Sequence, residues 1–219
     1  FQNPSIAGLS PLLSESAATD HDRSAPAAIP TVQPLAGDWP WGCQVFPASY
    51  AQSRLWFLHQ LQPDLTAYHL PAFWQLKGEL NLNALSQALS ALIERHPTLR
   101  TSFQLHGSEV LQLLHPPAPL QLEVEPLGDR DLNTVIQTCQ QQEASTPFDL
   151  TSGLLLRARL LQVGADQHLL LINHHHIASD GWSRSILSRD LTALYNAHRN
   201  GHRKSQPAQL QPLKVHYQD

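Results

Sequence analysis

Charge is scarce in this sequence of 219 residues. Charged side chains make up 15% of it, against the roughly 25% usual for soluble domains, and 14 Lys and Arg against 18 Asp and Glu leave a net charge of −4. No Lys/Arg-rich stripe runs along any segment, so the electrostatic footprint of a nucleic-acid binder is missing. Cysteine is scarcer still. Cys43 and Cys139 stand far apart, with no CxxC spacing and no signal peptide ahead of them. Neither a disulfide framework nor a zinc knuckle is indicated, and a reducing, cytoplasmic setting is expected. Long apolar runs are lacking too: Leu154–Leu156 and Leu169–Ile172 fall far short of the roughly 18 residues needed to span a bilayer, and no membrane segment is expected.

At 42% hydrophobic residues, the chain can bury one good core with some length left over for a tail or linker. Histidine and proline are the residues in excess, at 13 and 17. Most histidines are scattered singly, as at His59, His69, His106, His168 and His216, and such residues are ordinarily surface or packed side chains. One cluster stands out, His174 to His176.

Composition divides the chain. Residues 14–44, rich in Ser, Ala, Pro, Asp and Thr and without apolar periodicity, read as a flexible linker. Residues 1–13 before it are too short to fold alone, and residues 45–219 are the folded unit. From Ser49, which can cap, Ala51, Leu55 and Leu58 fall at helical spacing. A second helix is expected on Leu82, Leu85, Leu89, Leu92 and Ile93, started by Asn81 or Asn83 and stopped near Arg95-His96 by Pro97. Leu99–Leu105, Val110–Leu114 and Leu120–Glu125 read as strands separated by Gly107-Ser108 and Pro116-Pro117. Leu132, Val135, Ile136 and Cys139 line one face of a third helix. Leu154–Leu161 and His168–His174 then form a hairpin whose second strand is apolar enough to be buried on both faces. A long helix on Ile186, Leu187, Leu191, Leu194 and Tyr195 follows, leaving at Asn200-Gly201. The class is α/β (α+β), a mixed sheet with packed helices.

The chemistry gathers in Asn173-His-His-His-Ile-Ala-Ser-Asp-Gly-Trp-Ser183, where the buried strand runs out into a loop. Strand parity puts His174 and His176 on one face and His175 on the other. If His176 looks into a cleft, His175 must be packed or hydrogen-bonded behind it. A histidine at a strand end suits general-base catalysis near neutral pH, as acyl transfer requires. Asp180 sits where a carboxylate caps a helix or pairs with an arginine, and Gly181 leaves room for a turn or a ligand. A zinc site fits poorly, because adjacent strand histidines diverge and no i, i+4 helical pair accompanies them. A Ser-His-Asp triad through Ser179 fits less, since no Gly-x-Ser-x-Gly elbow is present. A purely structural, hydrogen-bonded histidine cluster stays open on these residues alone.

His175-His176-Ile-Ala-Ser-Asp180-Gly181 resembles the HHxxxDG signature of nonribosomal peptide synthetase condensation domains, and a bare HxxxDG also occurs in chloramphenicol acetyltransferase-like and other CoA-dependent acyltransferases. Ser49-Tyr-Ala-Gln-Ser-Arg-Leu-Trp-Phe-Leu58 resembles the opening motif of the condensation family, and Arg95-His-Pro-Thr-Leu-Arg-Thr-Ser-Phe103 its RHExLRTxF motif, with Pro97 in place of Glu. Pro147-Phe-Asp-Leu150 before Leu155-Leu-Arg-Ala158 is similar to the family as well, and His174 stands where Met is common. The first residues resemble the final helix of a peptidyl carrier domain, and Val215-His-Tyr-Gln-Asp219 the start of a further motif.

The resemblance implies the N-terminal lobe of a chloramphenicol acetyltransferase-like fold, preceded by a carrier remnant and a linker, with a second lobe completing the reaction tunnel. It implies peptide-bond formation between a carrier-bound donor acyl or peptidyl thioester and an acceptor aminoacyl thioester, with His176 catalytic. His175, Asp180, Gly181, Arg100 and Trp182 become supporting residues: Arg100, or else Arg95, is expected to pair with Asp180, and Gly181 and Trp182 to shape the tunnel floor. Ser49, Gln52 and Arg54 are assigned to helix packing and lobe contacts. No cofactor or metal is bound directly; substrates come on the phosphopantetheine arms of upstream donor and downstream acceptor carrier domains, beside an adenylation domain. Alternatives are a CoA-dependent acyltransferase of the same fold and a non-catalytic, carrier-interacting lobe. The isolated chain is expected to be inactive.

Overall fold

The structure, a computed structural model, describes residues 32–199 together with 210, 211 and 213. The expected carrier remnant, most of the expected linker and the motif at 215–219 lie outside the described residues. Among the described residues the chain forms seven strands and four helices: β1 Gln44–Pro47, α1 Tyr50–Leu61, β2 Ala72–Lys77, α2 Leu82–Arg95, β3 Thr101–His106, β4 Glu109–Leu114, β5 Glu123–Pro126, α3 Leu132–Ser145, β6 Leu156–Gly164, β7 Gln167–His174 and α4 Ser183–Arg199.

Local chemistry sets the helix starts. The Ser49 hydroxyl accepts the Gln52 N–H at 3.2 Å while the Gln52 side chain accepts the Ser49 N–H at 2.8 Å, a reciprocal pairing that satisfies two otherwise orphaned donors of α1. Asn81 caps α2 through the Ala84 N–H, and Asp131 caps α3 through the Thr134 N–H. Pro97 ends α2 as expected: the helix closes at Arg95 and the chain passes into a 3-10 turn, Pro97–Arg100, ahead of β3.

Strands β2, β7, β6 and β5 form one sheet in that order, and β1, β4 and β3 a second. The first sheet is mixed, because β5 runs parallel to β6 while the other pairs are antiparallel. Two strands escape the sequence reading. β1 is only four residues long, and β2 becomes a strand through its register with β7, Ala72 opposite Ile172 and Lys77 opposite Gln167. Period-two alternation along β6 and β7 divides their leucines between two cores. Leu156, Leu160, Leu170 and Ile172 pack with Leu85, Leu89 and Leu92 of α2 and Leu187 and Leu191 of α4. Leu161 and Leu171 face the other way, onto Val135 and Cys139 of α3. β7 is thus buried on both faces, and each such leucine contributes about 1.5–3 kcal/mol of transfer free energy.

Candidate active site

β7 delivers its C-terminal end into a cleft of about 650 Å³. The walls come from α1 (Gln52, Arg54, Leu55), Tyr68, the turn after α2 (His96 to Leu99), the loop His176 to Asp180 and the first turns of α4 (Ser183, Ile186, Leu187). The three consecutive histidines meet three different environments. His174 continues the parity of Leu170 and Ile172 and is buried beneath α4 beside Leu92 and Leu187. His175 points to the α3 side, 2% exposed, among His69, Phe148 and Tyr68. His176 has left the strand and stands exposed at the cleft.

Burial keeps the first two rings neutral. His174 is pushed down to about 4, by burial first and then by the Arg184 and His176 charges. His175 is pushed down to about 3, again by burial first, with the surrounding histidines adding. Its Nδ1 accepts the Ile177 N–H at 3.1 Å, which places the proton of the neutral ring on Nε2 and ties the ring to the turn carrying His176. The turn closes with Ala178 N–H to the His175 carbonyl, and His176 N–H reaches the Tyr68 carbonyl at 2.8 Å. Tyr68 also sets its ring edge-on to the His176 imidazole, 6.4 Å between centroids at 88°.

Asp180 holds the start of α4. Its Oδ1 accepts the Ser183 N–H at 2.9 Å and the Ser183 hydroxyl at 2.7 Å, and these bonds hold its carboxyl below the usual range. Arg100 does not reach it. The Arg100 guanidinium donates to the His115 carbonyl instead, and Arg95 pairs at 2.8 Å with Asp190, a fully buried residue of α4 that also takes bonds from His96 and Arg189. The expected pair between Arg100, or Arg95, and Asp180 is therefore corrected. The start of α4 lies at the solvent edge of the cleft, where Asp180 is spent on capping, and a buried carboxylate one helical stretch later offers the arginine of the α2 terminus a nearer partner. Gly181 has no left-handed backbone and a side chain there would meet nothing within 4 Å; Trp182 is 79% exposed. Neither lines the cleft within this chain. Ser179 Oγ finds no hydrogen-bond partner, so no Ser–His contact forms.

The sequence profile of the Condensation domain family matches residues 43–219. The chain belongs to the condensation-domain family. This condensation domain is 36% identical over 222 residues, 100% of the chain, to a linear gramicidin synthase of Brevibacillus parabrevis, of which it spans 3%. It is 42% identical over 171 residues, 78% of the chain, to the cyclosporin synthetase simA of Tolypocladium inflatum, spanning 1% of it. Among solved structures, the first condensation domain of the CDA synthetase superposes with a TM-score of 0.68 at 25% identity, covering 75% of this chain and 42% of that one. The X-domain from teicoplanin biosynthesis superposes with a TM-score of 0.69 at 28% identity, covering 86% and 38%. The chloramphenicol acetyltransferase-like, α/β fold expected from the resemblance is the fold of these neighbours.

Within the condensation domain, the structure brings His176, Asp180, Gln52 and Arg54 to one cleft and sets His175 behind it. Gln52 is 2% exposed and hydrogen-bonded to Gln112, the packing role assigned to it. Sequence reasoning missed Tyr68, which lies in the Thr66–Leu70 connection without any periodic pattern. It also missed the buried contact of Glu143 with Asn173, 2.6 Å, which secures the α3 side of β7. The signal for the latter was a polar residue, Asn173, closing a run of four Leu and Ile.

Proposed function

We propose that this chain forms the histidine-bearing wall of an amide-forming condensation site in a cytoplasmic nonribosomal peptide synthetase. The donor acyl or peptidyl group and the acceptor aminoacyl group arrive as thioesters on the phosphopantetheine arms of upstream and downstream carrier domains, with an adenylation domain and the second lobe as neighbours. The acceptor amine attacks the donor carbonyl, the C–N bond forms, the C–S bond breaks and the donor thiol leaves. His176 accepts the proton the amine loses and returns it to the departing thiolate, which leaves as the thiol. His175 stays neutral and holds the turn, Asp180 anchors α4, Arg100 ties the turn before β3, and Gly181 and Trp182 present an open edge toward the second lobe.

The observation that supports this best is the exposure of one imidazole, His176, on a cleft of about 650 Å³, while His174 and His175 are buried and uncharged. A base with access to water and substrate can exchange its proton each turnover; its buried neighbours cannot. The test is amide formation by the full-length synthetase with both carriers loaded. His176→Ala is expected to slow it by about 100-fold or more while leaving the melting temperature unchanged, and amide formation at the original rate would refute the assignment.

A further inference from the structure

We propose that Tyr68 is a positioning residue for His176, acting through its ring. This rests on the proton-accepting role of His176 given above. Three consecutive residues ahead of β2 pair with the three histidines: Leu70 N–H donates to the His174 carbonyl at 2.9 Å, His69 bridges His175 in antiparallel fashion, and the Tyr68 carbonyl accepts the His176 N–H at 2.8 Å. The β2–β7 ladder is in effect carried past the end of β7, and Tyr68 is placed opposite His176 by register.

The segment is held from its other side as well. The Thr66 hydroxyl donates to the Ala144 carbonyl at 2.6 Å and His69 Nδ1 meets the Glu143 carbonyl at 3.1 Å, both at the C-terminal end of α3. The Tyr68 ring is therefore mounted on a backbone fixed along two edges. It stands edge-on to His176 and tilted against His175, 6.4 Å from each, and it lines the cleft. An imidazole carried on a turn has several staggered orientations open to it; a ring on one flank removes those that would swing the nitrogen away from the incoming amine. Orientation of a catalytic group at this level is worth up to about 100-fold in rate.

The experiment uses the full-length synthetase with both carriers loaded and reads single-turnover amide formation against acceptor-carrier concentration. Tyr68→Phe keeps the ring and is expected to stay within about twofold of the parent, whereas Tyr68→Leu lowers the maximal rate about 10- to 100-fold with the half-saturating concentration unchanged. Tyr68→Leu retains apolar bulk, so an unchanged melting temperature separates positioning from unfolding. Added to His176→Ala, it is expected to cause no further loss, because a residue acting only through His176 has nothing left to orient. Tyr68→Leu at the parental rate, Tyr68→Phe as slow as Tyr68→Leu, or an undiminished further loss in the double variant would overturn the proposal. In the same assay, His176→Ala at the parental rate is the separate result that removes the reading on which it rests.

Discussion

Asp180 illustrates how one side chain can be placed correctly in a motif and yet owe its place to a different force. The family pattern assigns it an arginine partner; the fold gives it the first turn of α4, with two bonds to Ser183. The two roles differ in energy. Asn caps a helix about as well as Asp, so Asp180→Asn is expected to cost less than about 0.5 kcal/mol and Asp180→Ala about 1 kcal/mol, measured by urea unfolding of the chain. A cost near 3–5 kcal/mol for Asp180→Asn would instead mark a broken buried ion pair. His175 and His176 were separable by strand parity alone. Their difference in exposure was not, because it depends on Phe148, His69 and Tyr68 arriving from segments about 27 to 107 residues away in sequence to cover one ring and flank the other.

Between elements, the α2–α4 contact depends on a polar clamp at the end of an apolar stripe. Leu85, Leu89 and Leu92 meet Leu187 and Leu191, and at the C-terminal end of α2 the buried Asp190 gathers Arg95, His96 and Arg189 at 2.8–3.0 Å. Burial alone would raise the Asp190 pKa, but the bonds from Arg95, Arg189 and His96 outweigh it and hold the carboxylate charged. Asp190→Ala is expected to destabilise by about 3–5 kcal/mol, since it leaves Arg95 half-buried without its charge partner, and to loosen the cleft wall that His96 and Leu187 share. A loss under about 1 kcal/mol in thermal or urea unfolding would place the clamp among surface pairs of little worth. The apolar stripe was legible in the sequence; the identity of the carboxylate was not, because helical spacing says which face is buried and nothing about which buried polar group meets it.

Over the whole molecule, burial of histidines makes stability depend on pH. His69, His96, His115, His174 and His175 are all depressed, burial being the largest cause in each. The folded chain holds them neutral while the unfolded chain takes up protons below about pH 6.5, so stability is complete above that value and falls as pH drops toward the folded values, about 4 for His174 and about 3 for His175. Each such histidine contributes a slope of about 1.4 kcal/mol per pH unit inside its window. Neither ring nitrogen of His174 has a hydrogen-bond partner, so His174→Met is expected to add about 1 kcal/mol at neutral pH and to flatten the acid slope by one proton. Urea unfolding between about pH 7 and pH 5 checks both, and a stability indifferent to pH there would count against buried neutral rings. The helices, the caps at Ser49 and Asn81, the doubly buried strand and the candidacy of His176 were determined by the sequence itself, because capping, helical spacing and strand alternation act over a few residues. Strands β1 and β2, the partner of Asp190 and the place of Tyr68 beside His176 were decided by tertiary structure alone, because each depends on register and contact between segments that meet only once the sheet has closed.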